Sequence, residues 1–272
     1  MRVAILGMGA IGHVVAQALD GRVELVRVDR TRAPLRDGER PVDAAIVATK
    51  TPGTPWAAEV AAKILTRDGV ALTIQNGLGN YETLVAAVGR DRAAIGVIYV
   101  GAQLVDGALR ATGPGKVELG RPAGRGPRAN LDALTKLLKA GGMDVMAVDD
   151  PWPAVWRKVV TNAAVNPLSA LVGKTNGELL ADAPACRIAD GLAREVARVA
   201  SASGIAIEED EAIRQWRAMA ALTGANRSSM LQDVEAGRAT EIDSISGAVF
   251  REGEKRGVAA PLNQAMTLLV SA

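Results

Sequence analysis

The chain has 272 residues, of which 49% are apolar, and a formal net charge of +2. That length and apolar content support one large or two ordinary domains with a real core, and near-neutrality predicts no bulk affinity for nucleic acid or an anionic membrane. A single cysteine, Cys186, and a single histidine, His13, exclude an internal disulfide and argue against thiolate or imidazole metal clusters, so no metal site is expected.

Arg2 to Leu6 is a short apolar run that reads as a first strand. Gly7-Met8-Gly9-Ala10-Ile11-Gly12 follows, and His13 to Leu19 is helix-compatible. Strand, glycine turn and helix form the context that a dinucleotide fingerprint requires. Gly7 would allow the tight turn, Gly9 would let the backbone approach a pyrophosphate, and Gly12 would let helix and strand pack closely. Ala10 and Ile11 then lie where the helix N-terminus presents free amides to phosphates.

Val23 to Val28 reads as the second strand and ends at Asp29 and Arg30. A carboxylate there accepts hydrogen bonds from the ribose hydroxyls of NAD, whereas an arginine pairs with the 2′-phosphate of NADP. Asp29 argues for the first, while Arg30, with Arg27 and Arg32 near it, argues for the second. The stretch 31–42, with Pro34 and Pro41, reads as a loop. Asp43 to Thr49 is a third strand followed by Lys50, Trp56 to Leu65 a crossover helix, and Val70 to Ile74 a fourth strand followed by Asn76-Gly77. Lys50 and Asn76 thus stand at strand ends, where parallel sheets bind ligands. Ala94 to Val100 is another strand. Ala108 to Thr112 and Lys116 to Gly120, separated by Gly113-Pro114-Gly115, read as a hairpin. A Gly, Pro and Arg-rich loop (121–128), a helix from Leu131 to Ala140 and a strand from Asp144 to Val148 complete an alternation that signals a doubly wound parallel sheet.

Beyond Asp149-Asp150-Pro151 the strand signals stop. The expected fold class is therefore α/β, with an N-terminal Rossmann-type parallel sheet (1–150) and a C-terminal all-helical domain (151–272). Between Trp156 and Pro167, Lys158, Asn162 and Asn166 recur every four residues, which stacks them on one helical face. Asparagine costs helix propensity, so a row of one ammonium and two carboxamides among Val and Ala residues points to a ligand. Pro167 is expected to end or kink that helix. Thr175-Asn176-Gly177-Glu178 is a turn fit to cap the next one, and further helices are expected at 184–203, 208–222, 226–236 and 240–256. No run of about eighteen apolar residues suggests a membrane span, and the expected location is the cytoplasm.

Taken together, Gly7-x-Gly9-x-x-Gly12, Lys50, Asn76-Gly77, Trp156-Arg157-Lys158 with Asn162 and Asn166-Pro167, Asn176-Gly177-Glu178-Leu179, Ser228-Ser229-Met230-Leu231-Gln232-Asp233 and Thr240-Glu241-Ile242-Asp243 resemble the ketopantoate reductase family over nearly the whole chain. The resemblance implies reduction of ketopantoate (2-dehydropantoate) to (R)-pantoate, on the route to pantothenate and coenzyme A, in a cleft between a Rossmann and a helical domain. It implies NADPH as cofactor, although Asp29 leaves NADH open. By motif, Lys158 corresponds to the lysine that polarises the keto oxygen and donates a proton, and Glu241 to an acid that helps position substrate and lysine. Asn162, Asn166 and Asn176 correspond to substrate-binding amides, Ser229 to the hydroxyl on the substrate carboxylate, and Lys50 and Asn76 to the cofactor side. The alternatives are a β-hydroxyacid dehydrogenase-like reductase of another small keto acid and a non-catalytic dinucleotide sensor. The apolar helical half could support a homodimer.

Overall fold

The computed structural model describes residues 1–30, 40–111, 115–122 and 128–272. The chain divides into two compact units. The first comprises Met1–Gln75 and Asn80–Pro151, the second Asn76–Gly79 and Trp152–Ala272. The short excursion at Asn76–Gly79 departs from the contiguous 1–150 division expected from sequence.

Among the described residues the first unit has nine strands, β1 (Arg2–Leu6), β2 (Glu24–Val28), β3 (Val42–Val47), β4 (Leu65–Thr73), β5 (Ala93–Tyr99), β6 (Ala102–Val105), β7 (Ala108–Ala111), β8 (Lys116–Gly120) and β9 (Asp144–Val148). Seven of them form one sheet in the order β2-β1-β3-β4-β5-β8-β9. β1 to β5 pair in parallel, β8 is antiparallel to β5, and β9 is parallel to β8. Val3, Ala4, Ile5 and Leu6 of β1 are all fully buried. An unbroken apolar strand of this kind suits a parallel sheet covered on both faces. The covering helices are α1 (Ala10–Leu19), α2 (Thr54–Ile64), α3 (Asn80–Val88) and α4 (Ala129–Ala140). Leu19, Leu131, Leu134 and Leu138 pack against Ile5, Ile46 and Leu72 in a common core. The chain leaves β1 for β2 on one side and reaches β3 on the other, so the topological switch lies between β1 and β3, where such sheets bind ligands.

The hairpin expected from Ala108–Thr112 and Lys116–Gly120 is not formed; residues 112–114 of its expected turn lie outside the described residues. β7 pairs instead with β6, across Asp106-Gly107 at φ 51° and 78°. Two consecutive left-handed residues make the tight turn whose twist matches a hairpin, and Asp-Gly is a preferred sequence for it. β8 buries Val117 and Leu119 and therefore joins the main sheet beside β5.

The second unit is helical, with α5 (Trp152–Val172), α6 (Asn176–Ala181), α7 (Ala183–Ala202), α8 (Glu209–Leu222), α9 (Ser229–Glu235), α10 (Ser246–Arg256) and α11 (Pro261–Ser271). α5 packs against α7, α8, α9 and α11. Pro167 lies inside α5 and does not end it. Residues Ala163 to Ser169 are all buried, and their packing offsets a cost of about 3 kcal/mol for an interior proline. Thr175 and Glu178 form a capping box at the start of α6. The expected 240–256 helix is a 3-10 turn, Ile242–Ser244, followed by α10. Among the described residues no helix is long and apolar enough to cross a membrane.

One buried carboxylate fastens the last helix. Glu195 of α7 accepts hydrogen bonds from the amides of Leu262 (2.9 Å) and Asn263 (2.9 Å) and from the Asn263 side chain (2.9 Å). It satisfies amides that the first turn of α11 cannot satisfy itself, with the charge sign the helix dipole favours. Glu195→Ala is expected to destabilise the protein by about 3 kcal/mol, on the scale of lost hydrogen bonds to a buried charge, and Glu195→Gln by less. Urea denaturation of the three proteins checks the order.

Candidate functional site

In the first unit the three glycines do different work. Gly7 follows β1 at φ 103°, and a Cβ there would lie 2.6 Å from the Thr49 nitrogen. At Gly12 a Cβ would lie 2.1 Å from the Gly7 carbonyl oxygen. Both are demanded by close packing of strand, turn and helix. Gly9 is different, because beyond its chain neighbours no described heavy atom lies within 4 Å of the Cβ position. A missing side chain that nothing in the protein requires fits a backbone kept bare for a ligand. Gly9 is the N-cap residue of α1, whose first turn, starting with Ala10 and Ile11, carries no acidic residue of its own. The donor set therefore fits a dinucleotide pyrophosphate.

The register Leu6↔Val28 and Leu6↔Val47 brings the ends of β1, β2 and β3 to one edge of the sheet. Asp29 and Arg30 are exposed there, and the Arg30 guanidinium donates to the Pro52 carbonyl at 3.4 Å. Arg32 lies outside the described residues. Lys50 is exposed at the start of the 3-10 turn Thr51–Gly53. Behind this edge is a network that the sequence did not announce. Gln75 donates to the Thr49 carbonyl (2.8 Å) and the Thr54 hydroxyl (2.7 Å), and Thr54 donates to Asn80 (2.7 Å). The loops after β3 and β4 are thereby tied together.

In the second unit, α5 carries the Lys158, Asn162 and Asn166 row. Lys158 and Asn162 are partly buried and Asn166 is buried. Asn162 has no side-chain hydrogen bond among the described residues. Asn76, expected on the cofactor side, belongs to this unit, and its amide donates to Glu241 at 3.2 Å. The turn that carries it is fitted tightly. The Leu78 amide donates to the Ser244 carbonyl at 2.8 Å, and a Cβ at Gly77 would lie 2.2 Å from that same oxygen. Glu241 precedes the Ile242–Ser244 turn, and its charge acts on Lys158. Burial pushes the Lys158 ammonium down from 10.5 to about 8, while the Glu241 carboxylate pulls it upward. The structure thus brings Lys158, Glu241 and Asn76 into one cluster.

Asn176 and Ser229 are placed otherwise. Asn176 is buried at the start of α6, donating to the Thr223 hydroxyl at 2.8 Å, while its amide oxygen is buried without a partner. Ser229 is exposed at the first position of α9, and its neighbour Ser228 is the buried cap that accepts from the Leu231 amide at 3.0 Å. Sequence reasoning also missed Gln215 of α8, which donates to the Arg157 carbonyl (2.5 Å) and the Thr161 hydroxyl (2.9 Å), bracing the turn of α5 that holds Lys158. A half-buried glutamine in an otherwise ordinary helix gives no sequence signal. Among the described residues no cluster of His, Cys, Asp or Glu could hold a metal.

Comparison with known proteins gives a consistent picture. Residues 20–124 match the family described as "Ketopantoate reductase PanE/ApbA", and residues 151–272 match "Ketopantoate reductase PanE/ApbA C terminal". The chain is 32% identical over 300 residues to the 2-dehydropantoate 2-reductase of Halobacterium salinarum, covering 99% of this chain and 98% of that one. It is 31% identical over 291 residues to that of Archaeoglobus fulgidus, covering 99% and 96%. Among solved structures, a ternary complex of D-mandelate dehydrogenase with NADH and anilino(oxo)acetate superposes with a TM-score of 0.90 at 25% identity, covering 100% of this chain and 97% of that one. The 2-dehydropantoate 2-reductase of Geobacter metallireducens gives 0.88 at 25%, covering 100% and 99%.

The Lys158 cluster makes a direct prediction. The Glu241 carboxylate raises the pKa of the lysine, so Glu241→Gln is expected to lower it below about 8. Titration of 13Cε-labelled lysine by NMR reads this, and an upward or absent shift would contradict the coupling.

Proposed function

The chain belongs to the ketopantoate reductase family, and on that premise we propose that it reduces 2-dehydropantoate to (R)-pantoate with Lys158 as the general acid. As a member of that family it is a dinucleotide-dependent oxidoreductase acting on a CH–OH group. The observation that carries the role of Lys158 is its partly buried position beside Glu241 with a pKa brought to about 8. An acid is most effective when its pKa lies near the working pH. A bound nicotinamide dinucleotide supplies the hydride. As the carbonyl carbon becomes tetrahedral, negative charge develops on the keto oxygen, and the Lys158 ammonium stabilises it and delivers the proton that completes the hydroxyl.

In this reading residues 1–150 hold the cofactor, and residues 151–272 hold the substrate. Gly7, Gly9, Ala10, Ile11 and Gly12 receive the pyrophosphate. Asp29, Arg30 and Lys50 meet the adenosine side. Asn162 and Asn166 orient the keto acid, Ser229 binds its carboxylate, and Glu241 with Asn76 sets the position and charge of Lys158. Asn176, already bonded to Thr223, supports the substrate region with its remaining oxygen. NADPH is the cofactor the family resemblance implies, and Asp29 and the NADH held in the D-mandelate dehydrogenase complex support NADH as the alternative. That same neighbour favours a second reading, a different 2-keto acid as substrate.

Steady-state reduction of 2-dehydropantoate, and of the 2-keto acid corresponding to mandelate, with NADPH and NADH in parallel tests both readings. Turnover of neither keto acid would overturn them. Lys158→Ala is expected to lower kcat at least about a hundredfold, the scale of a lost general acid. The pH profile follows from the sign of the shift. Reduction needs the protonated lysine, so kcat/KM should be level below about 8 and decline as pH rises through it. In Lys158→Arg, whose guanidinium keeps its proton, that decline should vanish from the profile.

A further inference from the structure

Two buried serines join the helix that carries Lys158 to the helix that presents Ser229. Ser169 of α5 is fully buried, and its hydroxyl donates to the Asn166 carbonyl at 3.0 Å. Its oxygen also lies 2.5 Å from the hydroxyl oxygen of buried Ser228. Ser228 in turn accepts from the Leu231 amide at 3.0 Å, which caps α9. A hydroxyl has one proton to give and two lone pairs. Since Ser169 spends its proton on Asn166, Ser228 must donate to Ser169, and its lone pair is free to cap the helix. Only this direction makes all the contacts hydrogen bonds. The result is a one-way chain from the Leu231 amide through Ser228 and Ser169 to the Asn166 carbonyl.

We propose that Ser169 is a positioning residue for substrate binding, which through Ser228 holds the Ser229 hydroxyl in register with the Lys158 and Asn162 face of α5. The inference rests on the reading of Ser229 as the carboxylate-binding hydroxyl. α9 is seven residues long, too short to hold its orientation unaided, and its cap joins the burial of Met230 and Leu231 in anchoring it. The partner of that cap is a side chain in α5, about two turns beyond Asn162 and three residues after Asn166. Ser169 is fully buried and Ser228 nearly so, with 7% exposed, which leaves neither hydroxyl open to a substrate. Their part is therefore to fix geometry, and a loosened α9 would misplace a hydroxyl that contacts the substrate in ground and transition states alike. Such a loss weakens binding without slowing the proton transfer at Lys158.

The test measures kcat, the keto-acid KM, the cofactor Kd and Tm for Ser169→Ala, Ser169→Cys, Ser228→Thr and Ser229→Ala in the full-length protein. Ser169→Ala is expected to raise the keto-acid KM about tenfold, with kcat within about threefold and cofactor Kd unchanged, the pattern of lost uniform binding. Ser228→Thr, which keeps a hydroxyl able to cap, should retain a nearly normal KM. Should Ser169→Ala not fold, Ser169→Cys, a close steric match with a weak donor, is expected to show the same KM rise in smaller degree. A lowered Tm with unchanged KM in the Ser169 variants, while Ser229→Ala raises KM, would overturn the positioning role alone. An unchanged KM in Ser229→Ala would overturn the carboxylate reading and this inference with it.

Discussion

The constraint that orders the helical unit is the burial of one ammonium group. Moving Lys158 from 10.5 to about 8 means that its charged form is destabilised in the folded protein by on the order of 3 kcal/mol. Because the folded pKa is the lower one, that cost is present in full below about 8 and fades as pH rises toward 10.5. A protein keeps such a group only when its surroundings hold it in place. Glu241 offsets part of the desolvation, and Asn76 ties down one oxygen of that carboxylate. The Asn76 loop is fixed in its turn by Gly77, where any side chain would strike Ser244. Charge, counter-charge, amide and glycine form one sequence of dependencies.

The same helix serves as the frame for the rest. α5 carries residues that are poor for helices, two asparagines, a threonine and an internal proline, and it survives because it is packed by α7, α8, α9 and α11. Tertiary burial supplies what propensity withholds. Gln215 on one side and the Ser169–Ser228 pair on the other attach it to its neighbours by hydrogen bonds, which fix direction as well as distance. A core of Val and Ala alone would leave helices free to slide by fractions of a turn, and directional bonds remove that freedom.

Which parts of this were legible in the sequence follows from how local each signal is. Arg2–Leu6, the glycine turn and the Lys158 row were readable because strand burial, positive φ and a four-residue repeat each write a local pattern. The β6–β7 hairpin was missed because Gly113-Pro114-Gly115 drew the turn to itself, although Asp106-Gly107 carried the better turn chemistry. α3 has no strong apolar period and was not assigned. The membership of Asn76–Gly79 in the second unit could not be read at all, since it depends on Glu241 and Ser244, more than 160 positions away. Ser169 and Ser228 failed for the opposite reason. Each has an ordinary local explanation, back-bonding in a helix for one and capping for the other, and only their proximity shows that the two are a single device.

Substrate choice is governed by a different kind of residue from cofactor choice. The glycine turn after β1 is set by backbone, and at Gly7 and Gly12 even a methyl group would collide, so this part of the fold has little room to change. Of the residues proposed to meet the keto acid, Ser229 is exposed and Asn162 partly so, where substitution costs little stability, whereas Asn166 is buried. A D-mandelate dehydrogenase and a 2-dehydropantoate 2-reductase superpose on this chain almost equally well, at the same 25% identity. Overall shape therefore carries the dinucleotide chemistry and leaves the keto acid open. In the proposed reading, what narrows it is the particular set on and around α5, where Lys158 and Glu241 would supply chemistry common to any 2-keto acid, and Asn162, Asn166 and Ser229 would select the one that is held long enough to react.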